Sequence, residues 1–186
     1  MAYHKKNLKE QLIAVAWEIC VAESWQKINM RYVAEKAGVS PTAFYRHFKN
    51  KTDLKAELMR RGYDLLEEGR ENASTFSSYG ATYIRFGLDY PNIYDLMFGS
   101  MDLDTSPAPD LQMQSEAAFD GLLEGLKPFM PDETDRDIRI KGINIWASVH
   151  GLVGLLRRGD AQDVKAEDLE WIRNNLETYL EMTTFR

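Results

Sequence analysis

The segment from Ala37 to Pro41 constrains the fold of this chain more than any other. Gly38 follows a helical pattern in the position where a glycine commonly ends a helix. Ser40 then offers a helix cap, and Pro41 falls at the first helical position, where its missing N–H costs nothing. Because apolar residues recur at helical spacing on both sides, the sequence predicts two short helices joined by a tight turn, a helix-turn-helix.

Helical periodicity also dominates the rest of the chain, and no segment is a convincing strand. One helix with an apolar face from Leu8 to Ile19 precedes the motif. Asn29 is the expected cap of the first motif helix, and Asn50, helped by Asp53, is the expected cap of the helix after the motif. The later segments expected to be helical are 51–72, 76–90, 93–98, 111–129, 133–158 and 166–182. The prediction is an all-α fold of about nine helices, with a loop at 99–109.

Charge divides the chain into two parts. The net charge of the 186 residues is −6, yet residues 1–61 hold 12 basic and 6 acidic side chains, against 11 basic and 23 acidic in the remainder. Such an asymmetry indicates a basic binding module joined to an acidic body. We therefore predict an N-terminal three-helix domain at 1–52 and a C-terminal helical domain at 53–186.

Several classes of protein are disfavoured by composition. The single cysteine, Cys20, forms no internal disulfide and suggests a reducing compartment. No apolar run of about 20 residues is present and the N-terminus has no signal-peptide core, so we expect no membrane association and a cytoplasmic location. His4, His47 and His150 lack metal-ligand spacing, and no glycine-rich phosphate loop follows a strand. We expect no enzyme activity, no catalytic residue, no metal and no cofactor.

The second motif helix has an outward face suited to a DNA groove. Thr42, Tyr45 and Arg46 share that face at i, i+3 and i+4. Arg46 can give two hydrogen bonds to a guanine edge, and Thr42 can meet a thymine methyl or a polar base edge. Tyr45 and His47 suit phosphate oxygens, which position a protein on the duplex without reading its sequence.

Basic residues on neighbouring helices extend this surface. Lys51 opens the helix after the motif and adds charge to the anion site that a helix N-terminus provides. Arg31 and Lys36 flank the groove from the first motif helix. The alternative interpretation is a small packing subdomain with a solvated basic face, since three-helix cores are common.

The segment 30–54, from Met30-Arg31-Tyr32 through Phe44-Tyr45-Arg46-His47-Phe48 to Asp53-Leu54, closely resembles the DNA-binding segment of the TetR/AcrR family of bacterial transcriptional regulators. The matching features are the Ala-Gly-Val-Ser turn, the aromatic-Tyr-x-His-Phe helix and the Lys-x-x-Leu start of the next helix. The resemblance implies that Tyr45, His47 and Lys51 hold phosphates, and that Thr42, Ala43 and Arg46 read bases.

Two later segments are similar to one C-terminal subfamily, the WHG domain. Residues 83–98 follow its Tyr-x-x-Phe…Pro…Tyr-x-Leu-Met-Phe pattern, and residues 146–152 carry Trp-x-x-x-His-Gly. Bodies of this family usually form a dimer and hold a small-molecule pocket. The resemblance therefore implies a C-terminal domain for ligand binding and dimerisation.

The helix at 133–158 is the expected centre of the dimer. After Lys141 it is apolar nearly all round, and Ala147, Gly151 and Gly154 form a seam of small residues that lets another helix approach closely. We expect it to pair with helix 166–182 and with both copies in a twofold partner, giving a four-helix interface. The alternative is burial within a monomer. The predicted interface residues are Ala147, Gly151, Gly154, Leu155, Trp171 and Leu176.

Aromatic and methionine side chains are the candidates for a ligand pocket. Trp146 and His150 lie four apart on one helix face, and His150 is either a polar handle for a ligand or a buried histidine hydrogen-bonded within the core. The other candidates can line a cavity or simply form core. The full predicted set is Phe86, Tyr94, Met97, Phe98, Met113, Trp146 and His150.

The sequence thus predicts a homodimeric repressor that a small, partly apolar effector releases from a palindromic operator in double-stranded DNA. One alternative keeps DNA binding but assigns its control to a partner protein. The other is an all-α module that binds protein or an anionic ligand without reading DNA sequence.

Overall fold

The computed structural model describes residues 2–99, 109–158 and 164–184. These residues form α-helices with short 3₁₀ and π turns, and no strand occurs among them, which confirms the all-α prediction. The α-helices are α1 (Ala2–Glu23), α2 (Met30–Lys36), α3 (Pro41–Tyr45), α4 (Lys51–Glu71), α5 (Phe76–Asp89), α6 (Pro91–Tyr94), α7 (Pro109–Leu126), α8 (Asp135–Arg158), α9 (Ala166–Asn174) and α10 (Leu176–Thr183). The predicted loop at 99–109 lies almost entirely outside the described residues.

The helix ends around the motif use the caps that the sequence predicted. The Asn29 side chain accepts a hydrogen bond from the Arg31 N–H at 2.9 Å, and the Ser40 hydroxyl accepts one from the Ala43 N–H at 3.2 Å. Gly38 has a φ of +68°, a left-handed conformation that glycine adopts without steric cost. The predicted turn between α2 and α3 is therefore confirmed in its backbone geometry.

The described residues cluster into two compact units. The first comprises residues 1–64 and 90–113, and its core includes Leu12, Val33, Phe44 and Leu58, each 0% exposed. The second comprises residues 65–89 and 114–186, and is built on α5, the end of α4, and α7 to α10. The predicted division into a DNA-binding domain at 1–52 and a regulatory domain at 53–186 stays a prediction.

The segment 90–99 belongs to the first unit although it follows α5 in the chain. Pro91 occupies the first position of α6, and residues 95–99 continue as a π turn. The Asn92 side chain donates a hydrogen bond to the Val21 carbonyl at 2.9 Å, and the Tyr90 and Trp17 rings lie 5.8 Å apart. This segment is therefore held directly on α1.

The prediction of one helix at 166–182 is wrong, because the chain breaks into α9 and α10 at Asn175. Asn175 has φ −133° and ψ 40°, and its side-chain amide donates to the Trp171 carbonyl at 2.8 Å. Its own N–H instead donates to the Ile172 carbonyl, three residues back. The side chain has taken the acceptor that a continuing helix would use, which is how asparagine competes with helical hydrogen bonds.

Candidate nucleic-acid interface

Helix α3 presents the predicted reading face to solvent. Phe44 is fully buried and its ring lies 5.3 Å from that of Phe48, which is also buried, so the pair anchors one side of the short helix. Thr42, Tyr45 and Arg46 are exposed, with Tyr45 at 45%. Because the anchor fixes how α3 is rotated, the structure places these three side chains together on the surface of the first unit.

The remaining residues predicted to bind DNA are less uniform. Arg31 and Lys36 are exposed on α2, and the Lys36 ammonium lies 5.6 Å from the centre of the Tyr32 ring. Ala43 and His47 are half-buried. Each of these four residues therefore has some solvent-exposed surface.

The N-terminus of α4 is closed by a reciprocal cap. The Asp53 N–H donates to the Asn50 side-chain oxygen at 2.8 Å, and the Lys49 N–H donates to the Asp53 carboxylate at 2.9 Å. This arrangement satisfies the Asp53 N–H, which a helix start leaves open, and also the Lys49 N–H just before the cap. Lys51 is therefore the first residue of a well-defined 21-residue helix.

Lys51 lies in a partly enclosed position. Its ammonium is 4.6 Å from the centre of the Trp25 ring. Burial lowers the pKa of Lys51 from its ordinary value. Burial raises the pKa of the Cys20 thiol to about 11, which keeps it protonated at neutral pH, as expected for an inert thiol.

Trp25 was not among the residues that the sequence predicted for this surface. Trp25 lies in the 3₁₀ turn Trp25–Lys27, and its ring contacts Lys51, which is 26 residues later in the chain. The available signal was a large aromatic residue in a connection of a basic module, where it has no obvious core to join. No spacing rule links the two positions, because they meet only through the packing of the unit.

The predicted ligand-binding residues fall into both units. In the first unit, Tyr94 and Met97 are buried, Phe98 is half-buried with its ring 5.0 Å from that of Tyr94, and Met113 is 68% exposed. In the second unit, Phe86 is buried and Trp146 is 45% exposed. A shared role for these residues stays a prediction.

His150 has a defined partner in the second unit. Its Nε2 lies 3.0 Å from the Tyr83 hydroxyl, and its ring packs edge-on against Trp146 with centroids 4.6 Å apart. Burial lowers the pKa of His150 below its ordinary value. The hydrogen bond suits the core alternative, whereas the half-buried position leaves room for the ligand alternative.

The predicted dimer seam lies on an exposed face of α8. Ala147 and Gly151 are exposed and Leu155 is 38% exposed. A Cβ added at Gly151 or Gly154 would meet no atom within 4 Å, so neither glycine is required by packing inside the chain. Ile140 and Ile143, which the sequence analysis left out, are 55% and 50% exposed on the same helix.

The two interface residues predicted after α8 differ in their surroundings. Trp171 on α9 is 46% exposed, so its side chain is accessible to a partner chain. Leu176 is only 3% exposed and belongs to the core of its own unit. Its inclusion in the interface needs correction, because its side chain is already covered within a single chain.

Two family models match the chain. One, described as bacterial regulatory proteins of the tetR family, matches residues 12–58, and the other, a tetracyclin repressor-like C-terminal domain, matches residues 76–175. The chain belongs to the tetR family. This confirms the family that the motif and the C-terminal segments predicted.

Relatives and solved structures agree with this assignment. A Haemophilus influenzae protein named as an uncharacterized HTH-type transcriptional regulator is 29% identical over 89 residues, which are 47% of this chain and 43% of that protein. The match thus spans less than half of that relative's length. A Rhodococcus sp. RHA1 protein has a TM-score of 0.72 at 19% identity, covering 92% of this chain and 94% of its own.

A further structure, AibR in complex with isovaleryl coenzyme A and operator DNA, has a TM-score of 0.61 at 13% identity, covering 96% of this chain and 98% of its own. At these identities the structural likeness establishes the shared fold.

Among the helices of the described residues, none is long and apolar enough to cross a bilayer.

Proposed function

We propose that this tetR-family chain is a DNA-binding transcriptional regulator, acting as a homodimeric repressor that a small molecule releases from a palindromic operator. The observation that carries the proposal is an exposed trio, Thr42 and Tyr45 on α3 and Arg46 at its C-terminal cap, held outward by the buried Phe44 and Phe48. A short helix that presents polar groups and one guanidinium to solvent suits the major groove.

Electrostatics support DNA as the partner. Residues 1–61 carry a net charge of +6, whereas the remainder carries −12. The basic part would attract the phosphate backbone, and the acidic part would be repelled by it. The same division favours binding with residues 1–61 towards the duplex.

The exposed face of α8 together with α9 supports dimerisation. Large apolar side chains such as Ile140, Ile143, Leu155 and Trp171 are exposed there in a single chain, around a seam of small residues. Several large apolar side chains exposed on neighbouring helices support an interaction site there. A twofold partner would cover it and would present two α3 helices to successive major-groove half-sites.

Control by an effector is supported by the C-terminal match and by the AibR complex, which holds both isovaleryl coenzyme A and operator DNA. For this chain we infer a small, partly apolar ligand. It would bind one arrangement of the dimer better than the other and so shift the population away from DNA. We also place the protein in the bacterial cytoplasm, where its operator would lie.

The test is a selection of duplexes from a random library with the full-length protein, followed by affinity measurements on the enriched duplex. Arg46→Ala should weaken binding to the preferred base pair by about 1–3 kcal/mol and relax selection at that position. Arg136→Ala, which removes an exposed arginine from α8, is the matched control and should leave selection unchanged. No enrichment, together with no duplex binding at low salt, would reject the proposal.

Control by a partner protein is the second candidate mechanism, and it is favoured by Trp146, which is 45% exposed on α8. A panel of small acyl and aromatic compounds, scored for release of the enriched duplex, separates the two. Release by a compound that also raises the thermal stability of the free protein supports effector control. Release only on adding a protein fraction supports the partner.

A further inference from the structure

The turn between α1 and α2 brings an indole ring to the N-terminus of α4. The Lys51 ammonium lies 4.6 Å from the centre of the Trp25 ring, well within the range of about 6 Å over which a cation is attracted to an aromatic face. Tryptophan provides the strongest such attraction among the aromatic side chains. The contact therefore restricts where the Lys51 side chain can lie.

The backbone of this turn is held tightly enough to keep the ring in place. The Ser24 N–H donates to the Cys20 carbonyl at 3.0 Å, and the Ile28 N–H donates to the Trp25 carbonyl at 3.0 Å. Ile28 is 3% exposed and so anchors the end of the turn in the core. Ser24 itself has φ 97° and ψ 161°, a region that is almost restricted to glycine. A strained conformation persists only where surrounding contacts determine it.

The consequence for DNA binding concerns the freedom of Lys51. A lysine side chain on a surface samples many rotamers, and ordering it against a phosphate costs conformational entropy. The Trp25 ring has already removed part of that freedom in the unbound protein. An ammonium has three N–H donors, so contact with the ring on one side leaves donors for a phosphate on the other.

We propose that Trp25 is a positioning residue for DNA binding, which holds the Lys51 ammonium in place for a phosphate at the N-terminus of α4. The inference rests on the proposed DNA-binding function. Trp25 need not touch the nucleic acid, since its effect passes through Lys51. In this respect it differs from Thr42, Tyr45 and Arg46, which act by contact.

The decisive experiment is a double-mutant cycle on the full-length protein with Trp25→Leu, Lys51→Met and the double variant. Affinity for a generic duplex of about 30 base pairs, and for an enriched duplex once available, is measured by fluorescence anisotropy at several salt concentrations. W25L should weaken binding about three- to tenfold per protomer, the factor that corresponds to ordering one long side chain. Lys51→Met should weaken binding and flatten the salt slope by about one unit per protomer.

The double variant should bind no more weakly than Lys51→Met, because the ring has no role once the ammonium is gone. An equal loss from W25L in both backgrounds would overturn the proposal, since Trp25 would then act on the fold or on DNA directly. Trp25→Phe, which keeps an aromatic face, should recover most of the affinity. Arg139→Met is the matched control outside the basic residues 1–61: Arg139 lies 5.9 Å from the centre of the Phe119 ring, and its loss should leave the salt slope unchanged.

A readout without DNA tests the contact itself. Ring current from Trp25 should shift the side-chain methylene protons of Lys51 upfield in the NMR spectrum of the free protein, and the shift should vanish in W25L. Its absence from the wild-type spectrum would overturn the proposal even if W25L fails to fold. If the wild-type protein binds no duplex at low salt, the proposed function fails, which is distinct from a failed cycle in a protein that binds.

Discussion

Ser24 gives the sharpest stability test in the chain, because its backbone angles contradict its residue type. It is the one non-glycine residue with positive φ among those the structure describes, and its ψ of 161° places it in a region essentially restricted to glycine. Its side chain forms no capping hydrogen bond to the turn that follows. The substitution Ser24→Gly should therefore remove strain and lose little else.

The magnitude follows from two opposing terms. Holding a residue with a Cβ in such a region costs about 1–3 kcal/mol. Introducing glycine makes the unfolded chain more flexible and costs about 0.5–1 kcal/mol. The net gain is about 1 kcal/mol, which for a chain of 186 residues raises the Tm by roughly 2–4 °C.

Thermal unfolding followed by circular dichroism at one fixed protein concentration measures this gain, since a dimer's Tm depends on concentration. Ser24→Ala is the matched control and should leave the Tm almost unchanged, because alanine keeps the Cβ. Gly38→Ala is the reverse experiment, because Gly38 has φ +68° and an added Cβ would meet no neighbouring atom. This substitution should lower the free energy of unfolding by about 1–2 kcal/mol, and the cause would be backbone conformation alone.

The reasoning would be refuted if S24G melted at or below the temperature of Ser24→Ala while Gly38→Ala showed its expected loss. That result would mean that the turn relaxes at Ser24 at no cost, and that the ring of Trp25 is not held by a strained backbone. A rise in both Ser24 variants would point instead to a harmful effect of the hydroxyl group.

Three further predictions concern the second unit. Gly69→Ala should destabilise the protein by about 1–3 kcal/mol, because the new Cβ would lie 2.4 Å from the Thr82 methyl. The double variant Gly69→Ala with Thr82→Ser lacks that methyl and should recover the stability, as measured by denaturant titration. Gly151→Arg should produce monomers in light scattering at unchanged helicity, because its Cβ position is open within the chain; a dimer that persists would contradict the proposed seam. Lowering the pH through the ordinary His150 pKa of 6.5 should reduce stability more in wild type than in His150→Gln, measured by Tm.

The direction of the His150 effect follows from linkage. Burial lowers the pKa of this group in the folded protein, so the unfolded chain binds more protons as the pH falls below 6.5. Stability attributable to the neutral imidazole is present above that pH and decreases towards the lowered folded pKa. Identical pH profiles of wild type and His150→Gln would show that the folded protein accommodates the charged ring.

The turn around Gly38 and the caps at Asn29, Ser40 and Asn50 were predictable because each is a local event. A capping oxygen reaches an N–H only two or three residues further along, so spacing in the sequence is enough to identify it. The outward face of α3 was predictable for the same reason, since Phe44 and Phe48 define the opposite side by helical geometry.

The helix break at Asn175 was not predictable from periodicity. Apolar spacing continued across it, and the choice between side-chain and backbone hydrogen bonding to the Trp171 carbonyl depends on how α9 and α10 pack. Leu176 was assigned to the interface because it lies on an apolar face, yet its side chain is buried in the core of its own unit. A pattern of apolar residues predicts that a helix face is covered, but it does not identify the neighbour that covers it.

By itself, the sequence determined the all-α class, the helix-turn-helix, the charge division and the tetR family, because these depend on local hydrogen bonds, helical spacing and residue type. Only the tertiary structure decided that residues 90–99 pack on α1, that Leu176 is core, and that Trp25 lies against Lys51. These contacts join positions distant in sequence, and their geometry is set by the simultaneous packing of several helices rather than by any one of them.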